Sequence, residues 1–309
     1  MRGAPLPVRD GLGPDRVRMP AGTHTSTVAR FLDVTYPGED WPARVAAGEV
    51  VDEHGRRVTL DTHCMPTRFV YFYRDPPPEV PVPFALDVLY RDDTLVVVDK
   101  PHFLATIPRG RHIRETALVR LRRDLDLPDL IPAHRLDRMT AGVLVCVTQP
   151  RHRRAYQELF AAARVEKEYE ATAAIRNDLT WPAVVRTRIV KEHGVMTARH
   201  EPGEPNSETH IELVDELGDR GRYRLRPVTG RTHQLRLHML ALGLPIVGDD
   251  FYPEFRSRRP DDFTDPLQLL ARRLAFTDPL TGRERVFESR RALAPAPCRG
   301  PRCGEGASA

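Results

Sequence analysis

The chain has 309 residues, 40% of them hydrophobic and 29% charged, which supplies a sizeable core and excludes global disorder. Lysine and arginine number 47 against 43 acids, for a net charge of +4; only Lys100, Lys167 and Lys191 are lysines, and the arginine skew permits a nucleic-acid partner without requiring one. No run of about 18 apolar residues is present to span a membrane, the start lacks a signal peptide's apolar core, and Cys64, Cys146, Cys298 and Cys303 suit neither a disulfide framework nor a metal site, so a cytoplasmic protein with no metal and no small-molecule cofactor is expected.

Residues 1–22 are rich in Pro, Gly and Arg without hydrophobic period and are expected to be disordered. Residues 23–76 read as a small unit. Val28, Phe31, Leu32 and Tyr36 make a short helical face, Val45, Val50 and Val51 with Asp52-Glu-His-Gly55 suggest a helix leading into a hairpin, and Arg68 to Tyr73 reads as a strand. The prolines across 77–84 form a stiff extended linker. A second, larger unit spans 85–293, and 294–309 reads as a disordered tail.

The larger unit opens with a strand over Asp87 to Tyr90 and a buried strand at Leu95-Val-Val-Val98, stopped by Pro101. A basic loop with Arg109, Arg111, His112 and Arg114 follows, and Thr116 caps a helix that points Leu118, Leu121 and Leu125 inward. Arg151 to Arg164 reads as a helix, Glu168 to Ile175 as a strand, 183–215 as strand-like pieces between polar loops, and Tyr223 to Val228 as another strand. Thr232 begins a helix that Gly243 stops. A terminal hairpin runs through Asp278-Pro-Leu-Thr-Gly282.

Three stretches carry more chemistry than a structural protein needs. In the first, His134-Arg-Leu-Asp-Arg138 sets one carboxylate, Asp137, between basic side chains on a turn just before the buried strand Val143 to Val147. In the second, Glu166-Lys-Glu-Tyr169 brings an aromatic into a strand directly after a charged cluster. The third, Gly230-Arg-Thr-His-Gln-Leu-Arg236, is a polar helix entrance. Taken singly, each has a bland alternative: a solvated Arg-Asp turn, a half-buried strand tyrosine, a capped amphipathic helix.

In this order, these stretches resemble the RluA-type family of RNA pseudouridine synthases. Thr140 and Gly142, Val98-Asp-Lys-Pro101, Gly248-Asp249 and Leu274-Ala-Phe-Thr-Asp-Pro279 extend the likeness over about residues 85 to 290. The resemblance implies an α+β fold on a mixed, largely antiparallel sheet of pseudouridine synthase type, and the unit at 23–76 resembles a small S4-like domain. It implies Asp137 as the catalytic aspartate, Tyr169 as the residue that stacks on the target base, and an arginine of the third stretch, Arg236 or alternatively Arg231, as the partner of the aspartate. Leu237 would pack under the base, with Arg135, Arg109 and Arg111 as further RNA-binding residues. Met139 and Ala141 depart from the common pattern and bear on the stability of the turn.

The chemistry fits these residue types. Conversion of uridine to its C-glycoside isomer breaks the bond from N1 to C1′ and joins C5 to C1′, with no redox change, and a carboxylate can serve as nucleophile or base. A uridine flipped from its stack loses contacts that an aromatic can replace. Specific uridines in structured RNA are the expected substrate, ribosomal RNA first and transfer RNA second, acted on by a monomer. The competing readings are a noncatalytic RNA-binding or RNA-folding factor on the same fold, and a metal-dependent hydrolase, which the spacing of carboxylates and histidines disfavours.

Overall fold

A computed structural model describes residues 4–20 and 26–294. They fall into two units, one made of the chain up to Glu79 together with Pro108–Asp129, the other of Val80–Ile107 and the chain from Leu130 onward.

The first unit holds strand β1 (Asp15–Arg18), helices α1 (Val28–Thr35) and α2 (Trp41–Ala46), strands β2 (Val51–Asp52) and β3 (Phe69–Phe72), and helix α3 (Ala117–Asp124). The hydroxyl of Thr27, the carboxylate of Asp40 and the hydroxyl of Thr116 cap the three helices by accepting backbone N–H groups of their first turns, the contacts that Ser, Thr and Asp make at helix starts. A three-stranded sheet in the order β1-β3-β2 packs Val70 and Phe72 against Leu32, Trp41 and Val45. Two expectations are corrected here. Residues 15–18, placed in a disordered N-terminus, form β1 against β3, because Val17 packs on the unit's core and Asp15 pairs with Arg74; a four-residue strand is too short to show a period. Residues 108–129, expected in the larger unit, group with the first. There the Glu79 carboxylate accepts the backbone N–H groups of Ile113, Arg114 and Glu115, and Gly11 lies so close to the Val119 carbonyl that a Cβ would sit 2.2 Å from its oxygen. The tail from residue 295, also expected to be disordered, lies outside the described residues.

The second unit is built on one large sheet. In chain order it contains β4 (Asp87–Arg91), β5 (Leu95–Lys100), β6 (Ile131–Pro132), β7 (Ala141–Val147), α4 (Arg153–Ala161), β8 (Glu166–Ala174), β9 (Ala183–Val190), β10 (Arg199–Glu201), β11 (Ser207–Leu217), β12 (Arg220–Pro227), α5 (Gln234–Ala241), β13 (Leu269–Thr277) and β14 (Glu284–Glu288). The strand order is β10-β9-β11-β12-β8-β13-β7-β5-β4, with β14 on β13 and β6 on β7. β13 and β7 are paired in parallel, and the other pairs are antiparallel, so the sheet is mixed and mostly antiparallel, as expected. The β-branched run of β7 is buried along its whole length, as a central strand covered on both faces requires. Tyr156 and Leu159 of α4 close over Val143, Val145 and Val147 on one face.

Gly142 makes the parallel pairing possible. Its φ is +111°, and a Cβ there would lie 2.2 Å from the Ala271 carbonyl oxygen; only glycine tolerates both the conformation and the approach. The register sets Gly142 opposite Ala271 and Ala271 opposite Tyr169. Tyr169 therefore lies in the same row of the sheet as Gly142, the second residue of the strand that follows the Asp137 turn.

Candidate active site

The turn from Ala133 to Thr140 is held from below by the loop that follows β5. Lys100, fully buried, donates through Nζ to the carbonyls of Pro101 at 2.9 Å, Leu104 at 2.7 Å and Arg138 at 3.3 Å. His102 donates through Nδ1 to the Met139 carbonyl at 2.6 Å. The Thr106 hydroxyl donates to the Leu136 carbonyl at 2.7 Å and accepts from the Leu136 N–H at 3.2 Å. Arg138 donates to the Phe103 carbonyl, and the Thr140 N–H closes the turn onto the Asp137 carbonyl at 3.1 Å. Met139 is buried and serves the turn through its backbone, so the departure seen in the sequence leaves these contacts in place.

Burial lowers the Lys100 ammonium to about 7, against the opposing pull of Asp137. Burial also holds His102 at about 4. His134, at the start of the turn, is stacked on Phe160 with ring centroids 4.4 Å apart and accepts the Val145 N–H through Nε2. Burial, helped by the charge of Lys167, pushes His134 down to about 3. These groups are neutral or half-charged scaffolding around one carboxylate.

The side chain of Asp137 is 39% exposed, and its Oδ2 lies 3.9 Å from Nε2 of the buried His233. The Tyr169 phenol is pushed well above its ordinary range by burial and then by the negative charge of Asp137, so it keeps its proton beside the carboxylate. Two residues earlier on the same face of β8, Lys167 donates to the Thr229 carbonyl at 3.2 Å and so ties β8 to the loop that enters α5.

That loop is specified by its polar side chains. Gln234 accepts the Arg231 N–H at 2.9 Å and the Thr229 hydroxyl at 2.7 Å, and donates to the Glu208 carbonyl and the Thr209 hydroxyl, both at 2.9 Å. His238 bridges Thr209 at 2.8 Å and Ser207 at 3.0 Å. These bonds explain why α5 is buried from Gln234 to Met239 although its sequence reads as polar. His233 precedes the helix with φ +56°, a left-handed conformation uncommon for a residue with a Cβ.

The structure brings Asp137, Tyr169 and the start of α5 together and corrects the expected partner of the aspartate. Arg236 is 2% exposed and makes a two-pronged ion pair with Asp249, with Asp250 3.1 Å from the same guanidinium. Its fork is engaged by the Gly248-Asp-Asp250 segment, and its positive charge reaches Asp137 through space. The alternative, Arg231, is exposed and donates to the Asn206 carbonyl at 3.1 Å. Leu237, expected under the base, is 3% exposed and packs with Ile189, Ala198 and Tyr252, because its position on α5 faces the sheet. Arg135 is exposed on the turn. Arg109 and Arg111 are exposed on a tight turn of the first unit, closed by the hydrogen bonds between Arg109 and His112.

Sequence reasoning missed Lys100, His102, Thr106, His233 and Tyr252. A signal for Lys100 existed, since a lysine in a chain that otherwise uses arginine marks a place where a compact ammonium with three donors is needed. Tyr252 gave no such signal. Among the described residues no group of three or more His, Cys, Asp or Glu side chains is arranged to hold a metal ion, and no helix is long and apolar enough to cross a membrane.

The mixed sheet with an aspartate turn entering its central parallel strand is the pseudouridine synthase fold. Residues 94–241 match the family model described as RNA pseudouridylate synthase. The chain is 33% identical over 228 residues to the dual-specificity RNA pseudouridine synthase RluA of Escherichia coli K12, covering 69% of this chain and 95% of the relative. It is 32% identical over 220 residues to the protein of the same name from Haemophilus influenzae, covering 66% and 93%. Among solved structures it is similar to human RNA pseudouridylate synthase domain containing 4, with a TM-score of 0.51 at 26% identity, covering 67% of this chain and 88% of that one. The chain belongs to the RluA-type family of RNA pseudouridine synthases, isomerases that convert uridine to pseudouridine.

Proposed function

We propose that this enzyme isomerises specific uridines in structured RNA, ribosomal RNA first and transfer RNA second, with Asp137 as the reacting carboxylate. The observation that carries the reading is the half-exposed Asp137 carboxylate on a turn braced by Lys100, His102 and Thr106, beside a protonated tyrosine and a buried histidine. The bacterial relatives are named dual-specificity RNA pseudouridine synthases, which supports keeping both RNA classes as substrates. Tyr169 stacks on the flipped base, an interaction of roughly 1–3 kcal/mol for an aromatic under a base. Arg236 acts as a positioning residue: through Asp249 it orders the loop that carries Tyr252, and its charge helps to orient Asp137. Arg135 and Arg231, both exposed, contact the RNA backbone near the site, and Arg109 and Arg111 add sequence-independent phosphate contacts. The first unit serves as an S4-like module, a reading supported by two short helices on a small sheet.

Pseudouridine mapping in cellular RNA with and without the protein, complemented by wild type or by Asp137→Asn, tests this reading. Sites that vanish on deletion and return only with wild type are expected. Full restoration by Asp137→Asn would remove Asp137 from the role, and sites confined to another RNA class would overturn the substrate assignment.

A further inference from the structure

His233 has an unusual setting. It is buried, stands in the left-handed region at the entrance to α5, and contacts Asp137 on one side and Tyr252 on the other. Strained backbone of this kind is held only where the surroundings fix it, and it concentrates at working sites. Here the surroundings also fix the proton. The Tyr252 hydroxyl lies 2.7 Å from the Ala198 carbonyl, 2.9 Å from the Ala198 N–H and 2.9 Å from His233 Nδ1. A hydroxyl has one proton and a carbonyl can only accept. The Tyr252 proton therefore goes to Ala198, and its lone pairs take the Ala198 N–H and an N–H from His233. The imidazole carries its proton on Nδ1, and the unprotonated Nε2 faces Asp137.

From this geometry, and resting on the pseudouridine synthase reading of the Asp137 site, we infer that His233 Nε2 is the base that removes the C5 proton after the base has rotated. When the N1–C1′ bond breaks, N1 keeps the electron pair. When C5 joins C1′, C5 carries both its hydrogen and the sugar. Nε2 takes that proton, the C–H electrons restore the ring double bond, and the imidazolium returns a proton, directly or through solvent, to N1. The net change is one proton moved from C5 to N1, with no oxidant or second substrate.

The neighbouring groups are poorer acceptors. Tyr169 holds its proton firmly, and Lys100 is fully buried with its nitrogen enclosed by the carbonyls of Pro101, Leu104 and Arg138. The charged and titratable groups facing His233 are Asp137, Arg236, Asp249, Lys191 and Tyr252. Burial outweighs the pull of Asp137 and Asp249 and keeps the imidazole below its usual range, so it is neutral at pH 7 and charges only on acidification.

The test is single-turnover kinetics on prefolded RNA with ordinary or 5-deuterated uridine, across pH, for wild type, His233→Asn and Asp137→Asn. Asparagine can keep the donor toward Tyr252 and lacks Nε2. For His233→Asn the expected result is RNA affinity and melting temperature near wild type and a rate lower by about 10². It should also show a primary deuterium effect larger than wild type and lose the acid limb. A wild-type rate with no isotope effect for His233→Asn, while Asp137→Asn is inactive, overturns the inference and leaves the enzyme reading intact. Turnover by Asp137→Asn overturns that reading itself. If His233→Asn does not fold, the wild-type protein decides: an isotope effect that grows as pH falls through the acid limb supports the inference, and a pH-independent one overturns it.

Discussion

Arg236 and Asp249 form a buried, two-pronged ion pair, and the same Asp249 oxygen that meets the guanidinium also accepts the backbone N–H groups of Phe251 and Tyr252 at 2.8 and 2.9 Å. One carboxylate thus links the helix to the loop that carries Tyr252. The Arg236 guanidinium also lies 4.8 Å from the Phe251 ring centroid. Arg236→Ala is expected to lower stability by about 3–5 kcal/mol, because it leaves Asp249 buried without its partner, and to slow catalysis more than it weakens RNA binding. Arg236→Lys should recover part of the stability, since an ammonium cannot reproduce the fork. Denaturant unfolding set beside single-turnover rates checks this; a large rate loss at unchanged stability would show that the arginine acts on Asp137 directly.

Asp137→Asn should abolish isomerisation while RNA affinity stays within a few fold, since the amide keeps the shape of the carboxylate and loses its charge. Filter binding and single-turnover assays on one RNA give both quantities.

Tyr169→Phe should bind RNA as wild type does and keep its pH profile, because the phenol holds its proton through the working range. Tyr169→Ala should weaken base flipping as well, costing roughly 1–3 kcal/mol of stacking. A pH profile altered by the phenylalanine would assign proton transfer to the hydroxyl.

Much of this was readable in the sequence. The buried strands β5 and β7, the cap at Thr116, the start of β8 with Tyr169 and the stop at Gly243 all follow from local pattern. The partner of Arg236 was not readable, because Asp137 and Asp249 are both acidic and only the folded path of the loop after α5 chooses between them. Nor could the arginine count be apportioned. On β12, Arg222 pairs with Asp215, Arg224 with Glu212 and Arg226 with Glu168 across neighbouring strands, so they contribute little free positive charge. Position 233 looked like a helix start, and its left-handed backbone depends on tertiary bonds to residues far along the chain.

Stability should fall on acidification below about pH 6.5. His102, His134 and His238 are held at about 4, 3 and 4 in the folded protein by burial. Between those values and the unfolded value near 6.5, the unfolded chain binds more protons, so stability rises with pH across that window and is lost as pH drops through it. Each histidine contributes a slope of up to about 1.4 kcal/mol per pH unit. Urea unfolding at pH 7, 6 and 5 should show the decline, and His238→Gln should reduce the slope by one proton; an unchanged slope would remove His238 from the account.

Gly142→Ala should be among the most damaging single changes in the sheet, because it meets both a positive φ and the Ala271 carbonyl. Backbone strain alone costs about 1–3 kcal/mol. Soluble yield and melting temperature measure the outcome, and a variant as stable as wild type would contradict the close pairing of β7 and β13.

Helix α3 belongs to a unit whose remaining elements lie before Glu79, so the chain leaves that unit and re-enters it. Its apolar residues Ala117, Leu118, Val119 and Leu121 are buried. The N-terminal segment is therefore not a detachable bead. A truncation that starts at the prolines near residue 77 would strip Gly11 from the Val119 carbonyl and remove the segment that shares a unit with this helix, so dissection of this enzyme into halves would have to carry the helix with the N-terminal part or rebuild its surface.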